Sequence, residues 1–153
     1  KKVKENKNPY YDLVESEEFC DKILAEFGAS GPYSHIINGH MPVRVKDGES
    51  PINGNGKHII IDGGLSKAYH KRTGIGGYTL MSNSHGLYLT THAPFCKTRE
   101  AIKRKLDIKS ETTEVQLYKK RMMVKDTDNG KRLQDQIDVL KLHLKTFYHM
   151  DID

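Results

Sequence analysis

Two stretches of the chain carry the period of a helix, and the region between them carries the pattern of short strands. Phe19, Cys20, Ile23, Leu24 and Phe27 recur on one face at a spacing near 3.6 residues. Ser16 stands before them as an N-cap, Glu17 and Glu18 suit the positive end of a helix, and Gly28 is a natural stop. The spacing therefore predicts a helix over 16–28. Leu133, Ile137, Leu140, Leu144 and Phe147 step by 4, 3, 4 and 3, which predicts a second helix with a heptad-like stripe. Two heptads fall short of a coiled coil, so packing on its own domain is the reading preferred over a dimer seam. Thr98 to Leu106 reads as a short helix capped by Thr98, and Thr113 to Val124 as a strand.

The centre is built from short apolar runs and turns. Ser34-His35-Ile36-Ile37-Asn38 is a strand that ends at Gly39-His40. Asn53-Gly54 and Asn55-Gly56 are turn dipeptides, and the second leads into His58-Ile59-Ile60-Ile61. That run lacks polar alternation, as a strand covered on both faces does, and Asp62-Gly63-Gly64 ends it. Gly77–Met81 and Leu87–Thr91 form a hairpin around the four residues Asn83-Ser84-His85-Gly86. Eleven of the thirteen glycines lie between Gly31 and Gly86. The fold class is α/β, or α+β within this chain, with a β-rich centre flanked by helices. Three segments follow: 1–31 helical, 32–96 strand-rich, and 97–153 helix-strand-helix.

Composition narrows the partners. A chain of 153 residues is long enough to bury a core. The net charge of +5 is uneven: +3 over residues 1–8, −5 over 9–30, +3 over 31–96 and +4 over 97–153. No segment is a uniform basic block of the kind that holds nucleic acid by charge alone. Lys103-Arg104-Lys105 and Lys119-Lys120-Arg121 could mark a phosphate-contacting face, but solvated surface is the plainer reading. No run approaches the roughly 18–20 apolar residues of a membrane helix. Cys20 and Cys96 are too few for a disulfide framework, and no signal peptide is visible, so a cytoplasmic location is expected. The chain opens on Lys1 rather than Met, as a processed chain or a piece of a longer one would.

The candidate chemistry centres on His40. It follows a strand directly, where loops converge, and neutral imidazole is the commonest metal ligand. A solvated or structural His is the alternative. None of the other histidines stands at H-x-x-x-H or H-E-x-x-H spacing, and neither cysteine belongs to a C-x-x-C, so no complete local metal site is present. Gly74-x-Gly76-Gly77 lacks the Lys-Ser/Thr of a phosphate-cradling loop and precedes a strand, which makes it turn glycine. Ser34, His35 and Asp62 hold the ingredients of a nucleophilic triad without a G-x-S-x-G elbow.

Ser34-His35-Ile36-Ile37-Asn38-Gly39-His40-Met41-Pro42-Val43 resembles the last metal-binding motif of calcineurin-like metallophosphoesterases, a Gly-His-Thr-Pro signature after a strand. Asn55 to Gly64 resembles the next strand of that fold, which usually ends Ile-Asp-Thr-Gly. More narrowly, the chain is similar to the class 3 fructose-1,6-bisphosphatases of Firmicutes and related bacteria. The likeness runs through Lys7-Asn8-Pro9-Tyr10-Tyr11, Gly48-Glu49-Ser50-Pro51-Ile52, Gly63 to Tyr69, and Thr73 to Leu80. It continues through Pro94-Phe95 to Asp126-Thr127-Asp128-Asn129-Gly130 and so covers nearly the whole chain.

The resemblance implies the C-terminal part of a four-layer α/β/β/α sandwich. It also implies a manganese-dependent hydrolysis of fructose 1,6-bisphosphate to fructose 6-phosphate by a two-metal mechanism. One metal ligand carries over, His40; Met41 replaces the usual Thr at a position that is not itself a ligand. Arg44, Lys67 and Arg72 lie near the matching motifs and could contact a substrate phosphate, with solvated surface as the alternative. The Asp-x-His, Gly-Asp-x-x-Asp-Arg and Gly-Asn-His-Glu motifs that supply most ligands do not occur in this chain. No catalytic residue is therefore assigned, and the chain alone is expected to be inactive. Its expected partners are the substrate bisphosphate in the full-length enzyme and the N-terminal part of the same polypeptide. Self-association is expected if the sheet exposes an apolar face, while nucleic acid and membrane are not expected. The alternative is a non-catalytic binding or oligomerisation module that uses the C-terminal helix as its interface.

Overall fold

The computed structural model describes residues 8–64, 66, 68–94 and 97–149; the lysine-rich start, Lys67 and Cys96 lie outside them. The chain is mixed α/β and divides after Leu117 into two compact units.

The first unit begins with two helices, α1 (Tyr10–Leu13), which the apolar pattern did not announce, and α2 (Glu17–Glu26). Ser16 Oγ accepts from Phe19 N at 3.4 Å, so the predicted cap forms. Cys20 and Leu24 turn inward, while Phe27, just past the end, is 83% exposed. Polar side chains then fasten α2 to the turn Gly54–Gly56 and to the lysine after it. Asn55 Nδ2 donates to Glu17 Oε2 at 3.0 Å, and Lys57 Nζ meets Asp21 Oδ1 at 3.1 Å and Gly31 O at 3.0 Å.

Two small sheets follow. The first has the order β1 (Ile36–Asn38), β3 (His58–Ile60), β2 (Ile52–Asn53). Strands β1 and β3 run parallel with Ile37 opposite Ile59, and β2 runs antiparallel with Ile52 opposite Ile59. Two residues are too few for β2 to show a period, so the pattern missed it. The second sheet is antiparallel, in the order β4 (Gly77–Asn83), β5 (Gly86–His92), β6 (Ser110–Leu117). The short helix α3 (His70–Thr73) comes between the two sheets, and α4 (Thr98–Arg104) joins β5 to β6.

Several boundaries differ from the sequence expectation by a residue or more, among them the start of β1 at Ile36 and the end of β3 at Ile60, and three have a visible cause. The β4–β5 loop is two residues, Ser84-His85, rather than four. Asn83 Oδ1 accepts from the backbone of His85 at 2.8 Å and Gly86 at 3.2 Å, which lets Asn83 and Gly86 pair. Strand β6 covers 110–117 rather than 113–124, because its ends match those of β5, Ser110 to His92 and Leu117 to Gly86. Helix α4 is capped at Lys97, not Thr98. Lys97 O already accepts from Glu100 N and Ala101 N, so Thr98 lies inside the helix.

The core sits where the two sheets meet. Ile59 from β3 packs with Leu87 and Leu89 from β5, and Ile52, Tyr78, Leu80 and Val115 close around them. Ile59 is fully buried, as expected for the middle strand of a three-stranded sheet covered on its far face. Each such aliphatic side chain contributes about 1.5–3 kcal/mol.

In the second unit a single 3₁₀ turn, Val124–Asp126, leads into α5 (Asp128–Tyr148). Thr127 Oγ1 accepts from Gly130 N at 3.0 Å, so the helix starts five residues before Leu133. A Cβ at Gly130 would overlap Val124 O, which explains glycine there. The heptad-like stripe is not covered as expected. Leu133, Ile137, Leu140 and Phe147 stay 45–69% exposed, and Val139 and Leu142 extend the apolar side beyond the stripe. Among the described residues of this unit, one helix and one turn make no second layer to bury that face.

Candidate functional site

His40 occupies the apex of a strained turn. Its φ is 71°, and Met41 N donates across it to Gly39 O at 2.9 Å. That pattern is the γ-turn with positive central φ, the rare form of this turn. A non-glycine residue held there stores on the order of 1–3 kcal/mol, which only fixed surroundings can maintain. The imidazole is exposed at the end of β1.

Both sides of the turn are tied to β3 and its extension. On the near side Ile61 N donates to Asn38 O at 2.8 Å, and on the far side Val43 N donates to Asp62 O at 2.9 Å. Asp62 in turn closes its own bend, with Gly64 N donating to Oδ1 at 2.8 Å. Gly63 lies against Gly77 so closely that a Cβ would come within 2.7 Å of the Gly77 Cα. The end of β3 and the start of β4 therefore meet through two residues without side chains. The parallel β1–β3 pair thus carries the His40 turn after one strand and the Asp62 bend after the other, at the same end of the sheet.

Asn38, two residues before His40, is held through its side chain as well. Its Oδ1 accepts from Tyr10 Oη at 3.2 Å and lies 3.2 Å from His58 Nε2. An amide oxygen only accepts, so His58 carries its proton on Nε2 and keeps Nδ1 bare. Nδ1 is buried and has no partner among the described residues. Burial pushes the His58 imidazole below its ordinary pKa, which keeps the ring neutral. The Tyr10 ring meets the His58 ring edge-on, at 6.3 Å and 89°.

The candidate cations divide. Arg44 is engaged: Nε and Nη2 reach Glu49 Oε1 at 3.2 and 2.8 Å, its backbone N reaches Oε2 at 2.9 Å, and Asp47 lies at 3.6 Å. Arg72 is exposed on α3, and Lys67 lies outside the described residues. The Arg44 loop and α3 are brought together by a residue that the sequence did not single out. Lys46 Nζ donates to Lys71 O at 2.9 Å, and its stem lies over Gly74. An open groove of about 460 Å³ runs beside the turn, lined by Met41, Arg44, Glu49, Asn53 and Ile60 among others.

Among the described residues, no three His, Cys, Asp or Glu side chains gather where a metal ion could be held. His40 offers one nitrogen, and a metal needs several donors. These residues therefore do not by themselves make a metal centre. Among the described residues, no helix is long and apolar enough to cross a membrane. Tyr10, Asn38 and His58 carried no sequence signal as a group, because only folding brings residues 10, 38 and 58 together.

Comparison with known proteins places these features in a family. The model of the Firmicute fructose-1,6-bisphosphatase family matches residues 1–149. A class 3 fructose-1,6-bisphosphatase of Bacteroides thetaiotaomicron is 55% identical over 138 residues, 90% of this chain and 21% of the relative. Those of Clostridium beijerinckii and Fusobacterium nucleatum are 53% and 54% identical over 143 and 144 residues, each 94% of this chain and 22% of the relative. The chain thus spans about a fifth of the length of the curated relatives it matches. No solved structure matches it.

Proposed function

The chain belongs to the Firmicute fructose-1,6-bisphosphatase family, and from that premise we propose that it is the C-terminal part of a full-length class 3 fructose-1,6-bisphosphatase. The reaction is hydrolysis of fructose 1,6-bisphosphate to fructose 6-phosphate and phosphate, a step of gluconeogenesis. The observation that carries this reading is the strained, exposed His40 at the end of a strand in a chain matched over residues 1–149. In this reading 32–96 forms second-sheet strands of a metallophosphoesterase sandwich, between the helical segment 1–31 and the segment 97–153. His40 donates one imidazole nitrogen to manganese, and the remaining ligands come from elsewhere in the full-length protein. Lys67 and Arg72 meet a substrate phosphate, and Arg44 does so by exchanging Glu49 for a phosphate oxygen. The enzyme is cytoplasmic.

The test is metal-dependent hydrolysis of fructose 1,6-bisphosphate by the full-length protein and by its His40→Ala variant. Activity that collapses in the variant is expected, together with none from the chain alone. Undiminished activity in His40→Ala overturns the ligand assignment. The exposed apolar side of α5 favours a second role as an interface between copies or with the rest of the polypeptide. A monomer by sedimentation at high concentration of the chain removes the self-association part of that role.

A further inference from the structure

We infer that Tyr10, Asn38 and His58 are positioning residues, a polar anchor that holds the His40 turn in its strained form. The inference rests on the proposed role of His40. A γ-turn with positive φ relaxes unless the residues flanking it are fixed. Asn38 is the flanking residue on the strand side, and its amide oxygen takes one hydrogen bond from the phenol of α1 and one from the imidazole of β3. Its backbone carbonyl is held as well, by Ile61 N. Two chain segments far apart in sequence, α1 and β3 with its extension, therefore converge on the residue two before His40.

The anchor is built for rigidity. His58 is 2% exposed, and its ring leans edge-on against the half-buried Tyr10, so the imidazole cannot swing away without opening the interior. The tautomer is fixed by its partner, since Asn38 Oδ1 cannot donate. Among the described residues Nδ1 has no partner, a penalty that a purely structural core would avoid with an aliphatic residue. Leucine at this position would fill the space and remove the penalty, but Asn38 would lose one of its two donors.

The experiment uses the full-length protein and two readouts. The first is kcat and KM for fructose 1,6-bisphosphate. The second is the rate at which diethyl pyrocarbonate modifies His40, followed by peptide mass spectrometry. His58→Leu and Asn38→Ala are expected to lower kcat about 10- to 100-fold with KM within about twofold, because a displacement near 1 Å is worth that much. Both should also change the His40 modification rate several-fold. His58→Gln, which restores an N–H donor, should recover most of kcat, and Tyr10→Phe should lose about threefold to tenfold for one hydrogen bond. Parental kcat and parental modification rate in His58→Leu or Tyr10→Phe overturn the inference. If Asn38→Ala fails to fold, the His58 and Tyr10 variants decide. If His40→Ala is itself fully active, the role of His40 has failed, and the modification rate alone judges the anchor: an unchanged rate in His58→Leu refutes it.

Discussion

Arg44 and Glu49 are joined three times, twice through the guanidinium and once through the Arg44 backbone N–H, at 2.8 to 3.2 Å. The pair closes the loop that follows the His40 turn and sets how the nearest described arginine can be used. Both side chains are about half exposed, so the clasp is worth little to stability, on the order of 0–1 kcal/mol. Its consequence falls on binding. Glu49→Gln weakens the competitor for the guanidinium, so KM for fructose 1,6-bisphosphate should fall in the full-length protein. Arg44→Ala should raise KM with little change in Tm. Unchanged KM in both variants assigns Arg44 to the loop alone.

Replacing His40 separates stability from function. Glycine adopts φ near 71° without the Cβ penalty, so His40→Gly should stabilise the protein by about 1 kcal/mol. The same change removes the imidazole and should abolish hydrolysis. Chemical denaturation and an activity assay on one preparation check both halves. A destabilised His40→Gly would show that the turn carries no strain.

Stability should fall at both ends of the pH range for identifiable reasons. Burial lowers the His58 pKa in the folded state, so the unfolded chain binds a proton first on acidification. The contribution of His58 is complete above about pH 6.5 and is lost as pH drops below it. Burial raises the Tyr78 phenol to about 12, so its contribution is complete below about pH 10 and is lost between about 10 and 12. That shift corresponds to roughly 2–3 kcal/mol. Tm measured against pH should show both slopes, with His58→Gln flattening the acid one and Tyr78→Phe the alkaline one.

In the second unit, Gly130→Ala should disrupt the start of α5. A Cβ there collides with Val124 O, and the backbone must shift to admit it. A loss of about 1–3 kcal/mol, as for other overpacked sites, is expected. Circular dichroism on heating checks it, because α5 is the longest helix among the described residues and dominates the signal.

Helix α2 was legible because its signals are local: a serine cap, two acids, a 3.6-residue stripe and a glycine stop all lie within 13 residues. The β4–β5 hairpin was legible for the same reason, although the Asn83 side chain shortened its loop. Strand β6 was shifted because its limits are set by β5, a partner some 20 residues away. Helix α5 was found, but the fate of its stripe was not, since amphipathicity states that a face is apolar without stating what covers it.

For the site the division is similar. His40, the Gly-His-x-Pro order and the family likeness are matters of covalent sequence, and they were readable without coordinates. The positive φ at His40, the Arg44–Glu49 clasp, the Lys46 link to α3 and the Tyr10–Asn38–His58 anchor were decided only by folding. Each depends on groups meeting at about 3 Å or on a backbone angle, and neither quantity has a period or a composition to betray it. Local sequence sets which residues are able to form an element, while only packing decides which atoms come to lie against one another.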